Sequence, residues 1–149
     1  MSVFDARRWA HGVARTDVTV KQAEGRRLAV RLGFDPGPAG ADGGVDGWRD
    51  GDGVRAMFFS RLSRTPLSVK DAREFVAVLI KRQATVGVAV ASPAGYARGF
   101  AAEVEDTLAA CGRTVGLHLL YHHDVLAETP AYHTARGSMP PAAPRSDGP

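Results

Sequence analysis

The chain has 149 residues, of which 44% are hydrophobic, and 19 Lys and Arg against 16 Asp and Glu give a formal net charge of +3. This length predicts one domain with a buried core and excludes two domains of ordinary size. One cysteine excludes an intramolecular disulfide, and the absence of a long apolar run or signal-like N-terminus predicts a cytoplasmic protein that does not enter the membrane.

Two helices are predicted in the N-terminal part of the chain. Residues 3–14 form the weaker one, with three large apolar residues. Residues 17–32 carry apolar residues at helical spacing, and either Asp17 or Thr19 supplies an N-cap. This second helix ends at Gly33, because the prolines that follow prevent its continuation.

A β-hairpin is predicted next. Residues 44–48 and 54–62 are two extended segments, and residues 49–53 between them form a cluster rich in Gly and Asp. These two residue types tolerate the positive φ angles that tight hairpin turns require. The second segment is the more hydrophobic and is therefore the more buried strand.

Helices and strands alternate in the second half of the chain. The pattern predicts a helix over 69–80 capped by Ser68, a buried strand over 84–92, a helix over 93–111, a strand over 115–121 and a short helix from His122. An antiparallel hairpin followed by βαβ units predicts an α/β fold with a mixed β-sheet flanked by helices.

Three regions follow from this pattern. Residues 1–16 are predicted to be an N-terminal helical extension, and residues 17–128 form the domain itself. Residues 129–149 are rich in Pro, Gly and Ala, so we expect a disordered tail that buries little apolar surface.

Several segments occur in an order that points to a known family. They are Leu32-Gly33-Phe34, Ala41-Asp42-Gly43-Gly44-Val45-Asp46, Val69-Lys70-Asp71-Ala72-Arg73-Glu74-Phe75, the strand at 87–92 and Asp124-Val125-Leu126. Together they resemble the Mrr-type restriction endonuclease domain over residues 20–126. The resemblance implies a restriction-endonuclease-like fold and an activity on double-stranded DNA.

The resemblance also implies a catalytic site. Family members hold Mg²⁺ with an aspartate of the first hairpin strand and a Gln/Glu-x-Lys pattern on the second, often with a helix glutamate. Asp46 matches the aspartate and Glu24 is the candidate helix glutamate, but Phe59-Ser60-Arg61 stands in place of Gln/Glu-x-Lys. A register shifted by one residue gives Phe58-Phe59-Ser60, which is no better match. Phenylalanine cannot bind a metal, and arginine substitutes poorly for a lysine that orients water. Mg²⁺ is therefore expected only if the domain is active.

Candidate DNA contacts are the cations around the second hairpin strand and the helix after it. They are Arg61, Arg64, Lys70, Arg73, Lys81 and Arg82. Such cations bind phosphates without reading sequence. An alternative for Arg73 is an ion pair with Glu74 or Asp71 on an exposed helix face.

The histidines and the Asp-Gly-Asp-Gly sequence are given structural interpretations. His118, His122 and His123 are predicted to lie at a strand end or on the surface, because they lack the spacing of a zinc site. Asp50 and Asp52 are predicted turn residues, because the remaining ligands of a calcium loop are missing.

Three functional interpretations remain open. The first is a DNA-binding domain with impaired or no cleavage, acting in DNA defence or processing as a homodimer or a partner subunit. The second is an active Mg²⁺-dependent endonuclease in which Glu24 and Asp46 hold the metal and Arg61 replaces the lysine. The third is a structural or dimerising α/β module that has no role with nucleic acid.

Overall fold

The computed structural model describes residues 1–36 and 46–140. Its helices are α1 (Val3–Ala14), α2 (Val18–Leu32), α3 (Val69–Lys81), α4 (Phe100–Ala110), α5 (His122–Ala127) and α6 (Pro130–Gly137). Its strands are β1 (Asp35–Pro36), β2 (Gly47–Gly51), β3 (Val54–Arg61), β4 (Val86–Ala91) and β5 (Gly116–Tyr121). Within the described ranges, no helix combines the length and the apolar character needed to cross a membrane.

The five strands form one mixed sheet in the order β1-β2-β3-β4-β5. Strands β1, β2 and β3 pair antiparallel, whereas β3, β4 and β5 pair parallel. Helix α3 connects β3 to β4 and helix α4 connects β4 to β5. This topology confirms the predicted mixed α/β architecture, in which a hairpin precedes βαβ units.

Apolar clusters cover both faces of the sheet. Residues of α2, α5 and α6 pack on one face together with Phe58, and residues of α3 and α4 pack on the other face together with Phe59. Strand β4 is buried along its whole length, as predicted for the centre of a sheet. Successive residues of β3 thus point to opposite faces of the sheet. Only those on one face can therefore reach the candidate site.

Short polar contacts define where the predicted helices begin and end. The Asp17 side chain accepts a hydrogen bond from the Val20 amide at 3.0 Å, and Ser68 forms a reciprocal capping box with Asp71. Helix α2 stops at Gly33, whose φ of 95° favours glycine. The cap and stop signals in the sequence are confirmed at these positions.

The turn of the hairpin is shorter than predicted. Residues 49–51, predicted as part of the turn, continue β2 and pair with β3. Only Asp52 and Gly53 form the turn, with φ angles of 50° and 76°. Residues 44 and 45, predicted as the start of the first strand, lie outside the described residues.

A helix is predicted over residues 93–111, but α4 begins only at Phe100, so the predicted start is wrong. Gly95 and Gly99 have φ angles of 79° and 94°, which interrupt any helix before that point. Tyr96 instead forms an isolated bridge with Leu67, and its hydroxyl donates to the Leu120 carbonyl at 2.6 Å. These contacts tie together the loops that follow β3 and β4.

The prediction of a disordered tail from residue 129 is wrong for α6. Tyr132 and Ala135 are buried on one side of this helix, and the Tyr132 hydroxyl donates to the Arg31 carbonyl at 2.8 Å. Thr129 and Pro130 are not tail residues but the N-cap and first residue of this helix, where proline is well tolerated. Residues 141–149 lie outside the described part of the chain.

Candidate functional site

Asp46 lies at the edge of the sheet where β3, β4 and β5 end, which we call the carboxyl edge. Its amide donates to the Phe58 carbonyl at 3.0 Å, so the residue extends the pairing of β2 with β3. Its Oδ2 accepts hydrogen bonds from the Ser60 amide at 2.6 Å and from Ser60 Oγ at 3.3 Å. Asp46 is therefore fixed to the end of β3 and is not a turn residue.

The surroundings of Asp46 disfavour the ionised form of its carboxyl group. Burial raises the pKa of its carboxyl group above the usual value, and this effect exceeds the lowering by the Ser60 hydrogen bonds and by the charge of Arg61. A carboxylate placed where the fold opposes its ionisation is typical of functional sites.

This pKa shift gives a stability prediction for Asp46→Asn. A raised pKa means that the folded chain binds the proton more tightly than the unfolded chain, so ionised Asp46 costs stability at neutral pH. The cost disappears below the usual value of 3.8, where both states are protonated. Asp46→Asn is expected to raise the Tm at pH 7, and the gain should shrink as the pH falls towards 4.

Thermal melts at several pH values measure this effect. Asp106→Asn, on the exposed side of α4, is the control that removes the same charge without relieving any burial. A lower Tm for Asp46→Asn at pH 7 would contradict the prediction.

The side of β3 that faces Asp46 carries Phe58 and Ser60. A Cβ atom added at Gly25 of α2 would lie 2.8 Å from Ser60 Oγ, so the Ser60 side chain points towards α2. Phe58 is buried on the same face, with its ring 5.3 Å from that of Phe34. Since alternate residues of a strand share a face, Phe58 and Ser60 lie on the side of Asp46, which corresponds to the shifted register Phe58-Phe59-Ser60.

Arg61 projects from the opposite face of the sheet. Its Nη1 lies 2.7 Å from Asp71 Oδ1 and its Nη2 lies 3.2 Å from Glu74 Oε2, both on α3. Its guanidinium group also lies over the Phe59 ring. Of the effects on the pKa of Asp46, the charge of Arg61 is the smallest. Arg61 is therefore not placed to act as a catalytic lysine beside Asp46.

Glu24 is buried in α2, but it contacts His122 and not Asp46. Glu24 Oε2 lies 3.3 Å from His122 Nε2, and Glu24 Oε1 lies 3.8 Å from Nη1 of the exposed Arg27. His122 is fully buried, with the edge of the Trp9 ring against it at a centroid distance of 5.8 Å. His122 directly follows the last residue of β5, which agrees with the predicted strand-end position. It does not lie on the surface, because α1 and α2 cover the start of α5.

Polar atoms in this buried pair lack hydrogen-bond partners. Glu24 Oε2 and both ring nitrogens of His122 are buried and form no hydrogen bond with any described residue. The neighbouring His123 stacks on Tyr121 at a ring distance of 5.2 Å. Burial lowers the pKa of His123, more than the nearby Asp124 raises it.

The described residues around Asp46 do not supply a donor set that fits Mg²⁺. This ion prefers several oxygen ligands in near-octahedral geometry. Phe58 supplies no ligand, and the Glu24 carboxyl group lies beside His122, with Oε2 3.3 Å from Nε2. Among residues 1–36 and 46–140, no group of three or more His, Cys, Asp or Glu is arranged to hold a metal ion.

The six candidate DNA contacts do not form one surface. Arg61 is paired as described, and Arg73 Nε pairs with Glu103 Oε1 at 2.9 Å rather than with Glu74 or Asp71. Helix α3 runs back across the sheet, so its two ends lie at opposite edges. The exposed residues therefore divide into Arg64 and Lys70 near the carboxyl edge, and Lys81 and Arg82 at the far edge.

No protein-family model, curated protein or solved structure matches the chain. The resemblance to the Mrr-type domain thus rests on the sequence segments and on the position of Asp46 alone.

Proposed function

We propose that this chain is a restriction-endonuclease-like domain of the Mrr type that binds double-stranded DNA and does not cleave it efficiently. The observation that carries the proposal is the pair Phe58 and Ser60 on the side of β3 that faces Asp46. Asp46 matches the family aspartate. Phe58 and Ser60 stand where family members have a metal ligand and a lysine, and neither side chain can replace those groups.

Simple chemistry explains why this arrangement is a poor nuclease. Hydrolysis of a phosphodiester uses a metal ion that polarises the phosphate and lowers the pKa of the attacking water. Phe58 is buried in the core and has no donor atom. Ser60 is neutral, and its hydroxyl is already bonded to Asp46. One carboxylate alone binds Mg²⁺ weakly.

Binding to DNA requires neither the metal ligand nor the lysine of the family pattern. Phosphate contacts depend on exposed cations, and the chain carries a net charge of +3. Arg64 and Lys70 are exposed near the carboxyl edge and form no ion pair with any residue in the described ranges. We extend the proposal to a cytoplasmic role in DNA defence or processing, as a homodimer or as a partner subunit of another protein.

The two other interpretations have less support. An active site made of Glu24, Asp46 and Arg61 would require the Glu24–His122 contact and the Arg61 ion pairs to break. A purely structural module predicts no salt-dependent binding to DNA. The same pair of assays distinguishes all three interpretations.

The first assay measures cleavage of plasmid and linear DNA with Mg²⁺ or Mn²⁺. We expect no cleavage by the wild type above the level of Asp46→Ala. Robust cleavage that Asp46→Ala abolishes would contradict the proposal and favour the active enzyme.

The second assay measures binding of a labelled duplex by fluorescence polarisation between 50 and 200 mM salt. Affinity is expected to fall steeply over this range as counterions compete for the phosphates. Absence of binding at the low-salt end would favour the structural module.

A further inference from the structure

Helix α1 lies across the end of β5, at the carboxyl edge of the sheet. Helix α5 begins at His122, directly after β5, and the charges of Arg7 and His11 in the middle of α1 act on the neighbouring His123. The middle of α1 therefore stands at the same edge as Asp46. Strands β3 and β5 are separated by one strand, so about 10 Å divides their ends.

Helix α1 has one buried and one exposed side. Its buried residues are all small or medium-sized and pack against the rest of the domain; they are Ala6, Ala10, Val13 and Ala14. Exposed residues on the opposite side recur every three or four positions, as expected for one side of a helix; they are Phe4, Arg8, His11 and Arg15. Arg7 is exposed at the border of this side, near His123. We call Arg7, Arg8 and Arg15 the α1 arginines.

Carboxylates neutralise little of the charge of the α1 arginines. Helix α1 contains one acidic residue, Asp5, against three arginines. Asp17 and Asp124 accept hydrogen bonds from backbone amides at the starts of α2 and α5. No ion pair joins an α1 arginine to any residue in 1–36 or 46–140, in contrast to Arg61 and Arg73 of the α3 region.

The surroundings of the α1 arginines lie within the described part of the chain. Helix α1 packs mainly on α5, and β5 is the edge strand opposite β1. Residues 37–45 connect β1 to β2 in the sequence, and both of these strands lie on the other side of β3. The α1 arginines are therefore a local concentration of positive charge at the β5 end of the carboxyl edge.

We infer that the α1 arginines contact the phosphodiester backbone of DNA bound at the carboxyl edge. The inference rests on the proposed function and adds to it a second group of phosphate contacts, beyond Arg64 and Lys70. Arg8 and Arg15 are seven residues apart, which is about 10 Å along a helix. This length corresponds to about three phosphates of one DNA strand. Each guanidinium group can bind a phosphate through two parallel hydrogen bonds.

One duplex can contact both groups of cations. The separation of about 10 Å between the ends of β3 and β5 is less than the width of a DNA major groove, about 12 Å. Phosphates on the two sides of a groove could therefore face Arg64 and Lys70 on one hand and the α1 arginines on the other.

The exposed side of α1 fits a polyanion better than a lipid surface. A helix that lies in a membrane interface presents a continuous apolar side to the lipid. Phe4 is the only large apolar residue between the arginines on this side, and the Arg8 guanidinium lies over its ring at 5.8 Å. Val3 and Trp9 are also exposed, but helical spacing places them on other sides of α1.

Charge reversal at two edges of the molecule tests the inference. Arg8→Glu with Arg15→Glu changes α1, and Lys81→Glu with Arg82→Glu makes the same change in net charge at the far edge. We expect the first pair to weaken binding of a labelled duplex about tenfold or more, and the slope of log K against log salt to fall by about two, one for each lost phosphate contact. The control pair should change affinity less than about threefold, because charges further from the DNA than the Debye length of about 10 Å are screened.

Arg8→Gln with Arg15→Gln is the second variant, since it removes the charges without placing a carboxylate at the C-terminus of α1. Thermal melts check that each variant folds. Equal losses for α1 and control variants, or wild-type affinity in folded α1 variants, would overturn the inference while the proposed function stands. Binding to vesicles of phosphatidylcholine with phosphatidylserine that is as tight as binding to the duplex, and is lost in the same variants, would assign the α1 arginines to lipid instead. A wild type that binds no DNA overturns both proposals.

Discussion

His122→Ala is expected to lower the free energy of unfolding by about 3–5 kcal/mol, because it removes a fully buried ring and the imidazole that lies 3.3 Å from the buried Glu24 carboxyl group. His122 is fully buried, and its ring also fills the space beside Trp9. The substitution therefore removes both a polar partner and packed volume. Urea denaturation followed by circular dichroism measures the loss, with His133→Ala in the exposed part of α6 as the control.

A second substitution separates the two causes. Glu24→Gln keeps the size of the side chain and removes its charge, so His122→Ala should cost less in the Glu24→Gln background than in the wild type. A loss below about 1 kcal/mol for His122→Ala alone would show that the pair is not a buried structural contact. Equal losses in both backgrounds would assign the effect to packing alone.

Tyr132→Ala is the second substitution with a large expected effect. Tyr132 is 5% exposed within the cluster that covers the α2 face of the sheet, and loss of a buried aromatic ring typically costs about 3–5 kcal/mol. Tyr132→Phe is the matched control, since it removes only the hydrogen bond to the Arg31 carbonyl and should cost about 1 kcal/mol. Thermal and urea unfolding give both values. A negligible effect of Tyr132→Ala would mean that residues 130–137 do not belong to the folded unit.

Local signals were sufficient to predict much of the fold. Asp17, Ser68 and Gly33 mark helix ends through contacts within a few residues, and the continuous apolar segment of β4 indicates a central strand. Helix α6 could not be predicted in this way. Its stability comes from contacts such as Tyr132 with Arg31, about a hundred residues earlier in the chain, and Pro130 with the prolines that follow the helix suggested disorder.

The candidate site was predicted only in part. Asp46 was identified from its position, but the sequence left open which residues of β3 share its face, because Met57, Phe58 and Phe59 are all apolar and show no alternation. A strand that is buried on both faces does not reveal which residue faces which helix. Likewise, His122 and His123 are adjacent in the sequence, and only the packing of α1 and α2 over α5 buries the first of them.

The close contact between Gly25 and Ser60 limits the space at residue 60. A Cβ atom at Gly25 would lie 2.8 Å from Ser60 Oγ, so α2 passes close to the end of β3 at this point. On the proposed function, a lysine at residue 60 would have to turn away from α2 or displace it, so restoring the family lysine would call for a change in the packing of α2 as well as at residue 60.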